Sequence, residues 1–260
     1  MRSENETRPI QSESFENITE FHTSSKSGAL TLATLEADAA VPVDIYLEHD
    51  RSIVLCREGG EALSVEVRRQ LLEAGKDALW MPEIHRPRYL DYLKRSVHAL
   101  CTSGPKLIQA RSYLESRFSR TPESLEAAYR RAYYAGHLAQ DVGIDGGALL
   151  DELTRGVLLL GACLEGLEIP QDLKTGDSVG EVLRGYKERF DGCGPLGWNR
   201  EQQRLPVRIA CLVVAFEEAT MNQSGEERGC SFDVLRSFIV DRHGEFDPRL
   251  VAGFIRILER

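Results

Sequence analysis

The sequence predicts a mainly α protein in which a small α+β unit precedes an all-helical bundle. Two periodicities support this fold class. Between residues 43 and 56, apolar and polar side chains alternate, as they do in strands with one buried face. From Pro87 onward, apolar residues recur at steps of three and four, which is the spacing of a helix with one buried face. From residue 121 to 260 only helical patterns occur.

The α+β unit is expected to span residues 29–85. Val43, Ile45 and Leu47 alternate with polar residues, and a second apolar run ends at Cys56. Short runs of this kind on either side of a polar turn predict a β-hairpin.

A helix is predicted after the hairpin, beginning at Ser64 and ending at Gly75. Serine is a favoured N-cap residue, and glycine readily takes the left-handed conformation at a helix C-terminus. Residues 78–81 are then expected to form a third strand. The polar segment 1–28 has no apolar period and is predicted to be a disordered tail, whereas residues 86–120 are predicted to form linker helices.

The helical bundle is predicted to cover residues 121–260. Thr121 and Pro122 suit the N-cap and the first turn of its first helix. The segment 207–216 is apolar nearly all round, which is typical of a central buried helix. Asp247 is expected to cap the last helix.

Composition restricts the function classes. The net charge of -9 argues against nonspecific binding to nucleic acid or to an anionic membrane surface, so neither is an expected partner. A small phosphate-bearing ligand held by local arginines remains open. No stretch approaches the roughly 18–20 apolar residues of a membrane-spanning helix, and a cytoplasmic location is expected.

The six cysteines are scattered and form no Cys-x-x-Cys pair. Most have apolar sequence neighbours, so buried free thiols are expected rather than disulfides or a zinc site. These residues are Cys56, Cys101, Cys163, Cys193, Cys211 and Cys230.

Four short motifs follow one another in the predicted bundle. Residues 167–170 read Leu-Glu-Ile-Pro, residues 188–194 read Glu-Arg-Phe-Asp-Gly-Cys-Gly, Arg208 opens the core helix, and residues 246–248 read Phe-Asp-Pro. In this order they resemble the HD-GYP family, the helical branch of the HD phosphohydrolases. The resemblance implies a bacterial signalling fold whose members hydrolyse cyclic di-GMP at a centre of two or three metal ions. The α+β unit is also similar to a domain that precedes the catalytic domain in some of these proteins.

The positions that the resemblance assigns to the family's catalytic histidines, aspartates and lysine hold other residues here. A phosphodiesterase of this type needs imidazole and carboxylate ligands that bridge its metals. No histidine occurs from residue 138 to 242. We therefore expect a degenerate pseudo-enzyme with no catalytic residues, metal ligands or cofactor. The replaced positions are Ala127, Ala162, Cys163, Gly166, Tyr186, Lys187 and Val214.

A few side chains remain candidates for function. Asp191 and Arg208 match positions near the family's ligand mouth; we expect either structural roles, with Asp191 closing a turn and Arg208 pairing with a carboxylate, or residual ligand binding. His137 is expected to be an ordinary surface or capping histidine, and Cys163 a buried packing thiol. Glu217 and Glu218 are expected on a solvated surface, because adjacent helical carboxylates point about 100° apart and do not converge on a metal.

Together these observations favour a non-catalytic, HD-GYP-like regulatory or protein-interaction module. Its expected partner is another protein, with a second copy of the chain as an alternative through the linker helices. Two alternatives remain open: a sensor that binds cyclic di-GMP or another nucleotide without hydrolysis, and, less favoured, an active metal-dependent phosphodiesterase.

Overall fold

The computed structural model describes residues 27–49, 52–76, 78–101, 104–221 and 230–259. Within these ranges it contains nine α-helices and one four-stranded antiparallel sheet, which confirms the mainly α fold class. One hydrophobic core runs through the sheet and the helices.

The sheet has the strand order β1-β4-β2-β3, with β1 at Ser27–Thr31, β2 at Ile45–His49, β3 at Ser52–Arg57 and β4 at Ala78–Pro82. The predicted hairpin is the β2–β3 pair, and the predicted third strand is β4.

The edge strand β1 was not predicted, because its Ser-Gly-Ala start shows no apolar alternation. It pairs with β4 and begins inside the segment that the sequence analysis assigns to the tail, so the prediction is wrong for residues 27–28. The rest of that segment, residues 1–26, lies outside the described residues.

Helix α1 (Val65–Glu73) has the predicted ends. The Ser64 hydroxyl accepts a hydrogen bond from the Val67 amide at 3.3 Å, and Gly75 follows the helix with a φ of +66°. The inner face of α1 buries Arg68 and Leu72. Arg68 donates from Nη1 to the Leu258 carbonyl at 2.6 Å, and thereby joins the α+β unit to the last helix of the bundle.

Helices α2 (Arg86–Leu100) and α3 (Pro105–Arg117) occupy the predicted linker region. They pack on the bundle: α2 contacts α4 (Pro122–Asp141), and α3 contacts α5 (Gly147–Leu164). Thr121 occupies the N-cap position of α4, but its side chain makes no capping hydrogen bond, so only its backbone serves the cap.

The remaining helices are α6 (Asp177–Gly185), α7 (Leu205–Met221), α8 (Ser231–Val240) and α9 (Pro248–Glu259). As predicted, α7 is central, and it packs on α4, α6, α8 and α9.

Aromatic rings at the centre fix the helices around α7. Tyr134 of α4, Phe216 of α7 and Phe254 of α9 have ring centroids 4.4–5.4 Å apart. The predicted capping role of Asp247 is also present, since its Oδ1 accepts from the Arg249 amide at 3.1 Å.

Candidate functional site

A cavity of about 250 Å³ lies between the end of α6, one face of α7 and the segment that leads into α9. It brings together three of the replaced ligand positions: Tyr186, Lys187 and Val214. The other lining residues among those described are Glu188, Arg189, Cys211, Ala215, Glu218, Arg242, Glu245 and Phe246.

The three replaced positions contribute an aliphatic, an aromatic and a cationic side chain to this cavity. Val214 contributes only methyl groups from α7. The Lys187 side chain is exposed, and its Nζ lies 5.4 Å from the centroid of the Tyr186 ring, within cation–π range. At the positions where the resemblance implies imidazole and carboxylate ligands, this cavity has a phenol, an ammonium and an isopropyl group.

Two carboxylates of the lining are already engaged by the protein. Glu188 accepts from the amides of Leu196 and Trp198, at 2.6 and 2.8 Å. Glu245 accepts from Arg189 Nη1 and pairs with Arg242 Nη2, both at 2.5 Å. These carboxylates hold the loops that shape the cavity.

This donor set does not fit the centre of two or three metals that the resemblance implies. Across the described part of the chain, no group of three or more histidine, cysteine, aspartate and glutamate side chains is arranged to hold a metal ion. The ammonium of Lys187 would also repel a divalent cation bound nearby.

A buried arginine, Arg131, lies near Ala127 on α4 and near Gly161, which precedes the replaced position Ala162 on α5. The Ala127 carbonyl accepts from Arg131 Nε at 3.1 Å, and Arg131 Nη2 would be 3.9 Å from a Cβ placed on Gly161. Only 7% of Arg131 is exposed, and this burial lowers the pKa of its guanidinium. The guanidinium of Arg131 therefore lies beside the contact between α4 and α5.

A buried ionic cluster joins α2, α4 and α7 next to this arginine. Arg130 donates to Glu217 Oε1 from Nε and Nη2, at 2.9 and 2.7 Å, and also pairs with Glu126. Glu126 in turn accepts from Arg86 Nη1 at 3.0 Å.

The expectation of a solvated Glu217-Glu218 pair is therefore wrong for Glu217, which is 2% exposed, although Glu218 is exposed. The two residues lie on different sides of α7, and only Glu217 faces α4. The i,i+4 spacing of Glu126 and Arg130 was the sequence signal for this cluster.

Burial and ion pairing have opposite effects on the pKa values of Arg130 and Glu126. Burial opposes the charge of Arg130, but Glu217 and Glu126 more than offset it and raise the pKa of Arg130 above its usual range. Burial raises the pKa of Glu126 despite the proximity of Arg130 and Arg86, and the repulsion of Glu217 adds to that rise. Arg130 therefore stays charged between two carboxylates.

Asp191 closes a turn in the segment 188–194. Its Oδ2 pairs with Arg189 Nη2 at 2.7 Å, and its Oδ1 accepts from the Cys193 amide at 2.9 Å. These hydrogen bonds, first that of Arg189 and then that of the Cys193 amide, lower the pKa of Asp191 to about 2.

Arg208 is engaged by its surroundings as well. It donates to the Gln203 carbonyl at 2.8 Å, pairs with Asp247 at 3.2 Å and lies 5.1 Å from the centroid of the Phe190 ring. Neither Arg208 nor Asp191 is among the residues that line the cavity. A ligand-binding role for the two residues stays a prediction.

No family model matches the sequence. None of the curated proteins matches it either. Among solved structures, the chain is similar to Bd1817, a HDG"Y"P protein from Bdellovibrio bacteriovorus, with 14% sequence identity and a TM-score of 0.44. The match covers 90% of this chain and 100% of that one.

The cysteines only partly follow the sequence expectation. All six are free thiols, but only Cys211 is buried, Cys193 is exposed, and the other four are intermediate. Cys163 was expected to be buried and is instead half-buried, because it lies in the last turn of α5, where the helix leaves the core.

His137 packs against an aromatic neighbour. Its ring centroid lies 4.3 Å from that of Tyr133.

Among the helices that the structure describes, none is both long enough and apolar enough to cross a bilayer.

Proposed function

We propose that this chain is a non-catalytic, HD-GYP-like regulatory or protein-interaction module. The observation behind the proposal is the cavity at the replaced ligand positions, where Tyr186, Lys187 and Val214 meet. A phosphodiesterase site there would need ligands that polarise a phosphoryl oxygen and generate a hydroxide. Tyr186, Lys187 and Val214 supply a phenol, a cation and an aliphatic side chain instead. Two of the three carboxylates in the described lining, Glu188 and Glu245, are engaged by the protein's own donors.

The buried ionic cluster supports the same proposal, because it stabilises the contact between α4 and α7 without a metal. Arg130 and Glu217 join α4 to α7 with two hydrogen bonds, so these helices are held together by the chain's own side chains. We therefore expect folding to be independent of a metal.

Metal analysis of the purified protein, combined with a hydrolysis assay, tests this function. We expect no stoichiometric iron or manganese, no hydrolysis of cyclic di-GMP with either metal added, and the same thermal midpoint with and without a chelator. Binding of two metal equivalents together with hydrolysis would contradict the proposal.

The nucleotide sensor is tested better at Lys187 than at Arg208. Arg208 has several structural partners, so an Arg208→Ala change would disturb its loop whether or not a ligand binds. Lys187 forms no ion pair with any residue that the structure describes, and it lines the cavity. Heat on titration with cyclic di-GMP that is lost in Lys187→Ala would favour the sensor, whereas no heat in the unsubstituted chain would exclude it.

A further inference from the structure

Charge is distributed very unevenly along this chain. Residues 86–120, which contain α2 and α3, hold eight lysines and arginines against two acidic residues, a net charge of +6. The whole chain has a net charge of -9, so the remainder has -15. A basic segment in an acidic protein is a local electrostatic feature that the total charge conceals.

Part of this basic segment lines a groove of about 470 Å³ beside the α+β unit. Its described lining consists of Arg88, Asp91, Lys94 and Arg95 on α2, together with Pro42 from the segment that precedes β2. At 3.6 residues per turn, Arg88, Asp91 and Arg95 lie within about 60° of one another around α2, and Lys94 lies about 60° further round.

Two of these cations are available to an external partner. Lys94 pairs with Glu115 of α3 at 2.8 Å, and Arg95 donates from Nε to the Asp91 carbonyl at 3.3 Å. Among the described residues, neither Arg88 nor Arg95 has a carboxylate within ion-pair distance, and both are exposed. The groove thus presents two guanidinium groups suited to bidentate pairing with carboxylates.

We infer that the groove along α2 is a docking surface for an acidic segment of a partner protein. Carboxylates of that segment would pair with Arg88 and Arg95, and the concave wall at Pro42 would limit its path to one side of the helix. The inference names the partner chemistry of the interaction module proposed above and rests on that proposal for its functional meaning.

Other occupants fit these observations less well. A symmetric dimer through this face would oppose two identical basic surfaces, which is electrostatically unfavourable. A nucleic acid or an anionic membrane would extend beyond the groove and meet the strongly acidic remainder of the protein, whereas a short acidic segment can stay within the groove.

Fluorescence anisotropy with a fluorescein-labelled octaglutamate peptide tests the inference in the full chain at low ionic strength. Binding should weaken as salt rises, and Arg88→Glu with Arg95→Glu should weaken it at least about tenfold. The matched control is Arg184→Glu with Arg236→Glu, which makes the same charge change at two exposed arginines outside the groove. This control should bind within about twofold of the unsubstituted chain.

Several outcomes would overturn the inference. The first two are no binding of the peptide, or equal losses of affinity in the groove variant and the control variant. A third is groove-dependent binding of a DNA oligonucleotide or of phosphatidylserine vesicles that is tighter than binding of the peptide. A fourth is a dimer, detected by sedimentation, that the groove variant dissociates. Arg88→Ala with Arg95→Ala gives a milder second test with an intermediate loss. Metal content is measured separately, so failure here is distinguishable from failure of the proposed function.

Discussion

Glu217 and Glu218 are adjacent carboxylates of α7 in opposite environments. Glu217 is buried against Arg130, whereas Glu218 is exposed. Glu217→Gln leaves the buried Arg130 guanidinium with a single carboxylate partner, and removing one member of a buried pair typically costs about 3–5 kcal/mol. We expect a loss of about 3 kcal/mol in the free energy of unfolding, measured by urea denaturation with circular dichroism.

Glu218→Gln is the matched control at the residue scale, because it removes the same charge one position away. We expect its effect on stability to stay within about 0.5 kcal/mol. Equal losses in the two variants would show that the Arg130–Glu217 pair does not stabilise the contact between α4 and α7.

At the scale of elements, the segment 188–203 has a structural role. Glu188 holds two amides of this segment, and Gln203 Nε2 donates to the carbonyls of Arg189 and Trp198. A Cβ on Gly194 would lie 2.7 Å from the Arg189 nitrogen, so backbone atoms would have to move. We expect Gly194→Ala to destabilise the protein by about 1–3 kcal/mol, measured as a lower urea midpoint.

Gly180→Ala provides the contrasting change. Nothing lies within 4 Å of a Cβ at that position on α6, and alanine is the better helix former by about 0.8–1.0 kcal/mol. A rise in stability is therefore expected. If Gly194→Ala behaved like Gly180→Ala, the close approach at Gly194 would have no energetic role.

Elements with a strong local signal could be predicted from the sequence. Helix α1 begins after the capping residue Ser64 and ends before Gly75, whose left-handed conformation glycine favours. The apolar run of α7 predicts a helix that is buried on nearly all sides. Strand β1 could not be predicted, since its pairing with β4 joins residues far apart in the chain. The burial of Glu217 was missed for a related reason: which side of α7 faces α4 depends on tertiary packing.

At the scale of the whole molecule, Arg68 couples the α+β unit to the bundle. Its Nη1 donates to the Leu258 carbonyl at the end of α9, where helical carbonyls lack partners within the helix. Arg68 is 3% exposed, and burial lowers the pKa of its guanidinium. Loss of this contact would leave a buried carbonyl without its charged donor, which costs about 1–3 kcal/mol.

Arg68→Met should therefore lower stability and reduce the cooperativity between the two parts. In a Trp198→Phe background, Trp80 fluorescence reports on the sheet and far-ultraviolet circular dichroism on the helices. We expect the two denaturation curves to coincide in the parent and to separate in Arg68→Met, because the shared contact transmits unfolding from one part to the other. Arg69→Met alters the adjacent exposed arginine and should leave both curves nearly unchanged. Curves that still coincide at the parent's midpoint in Arg68→Met would mean that the shared apolar core alone couples the sheet to the bundle.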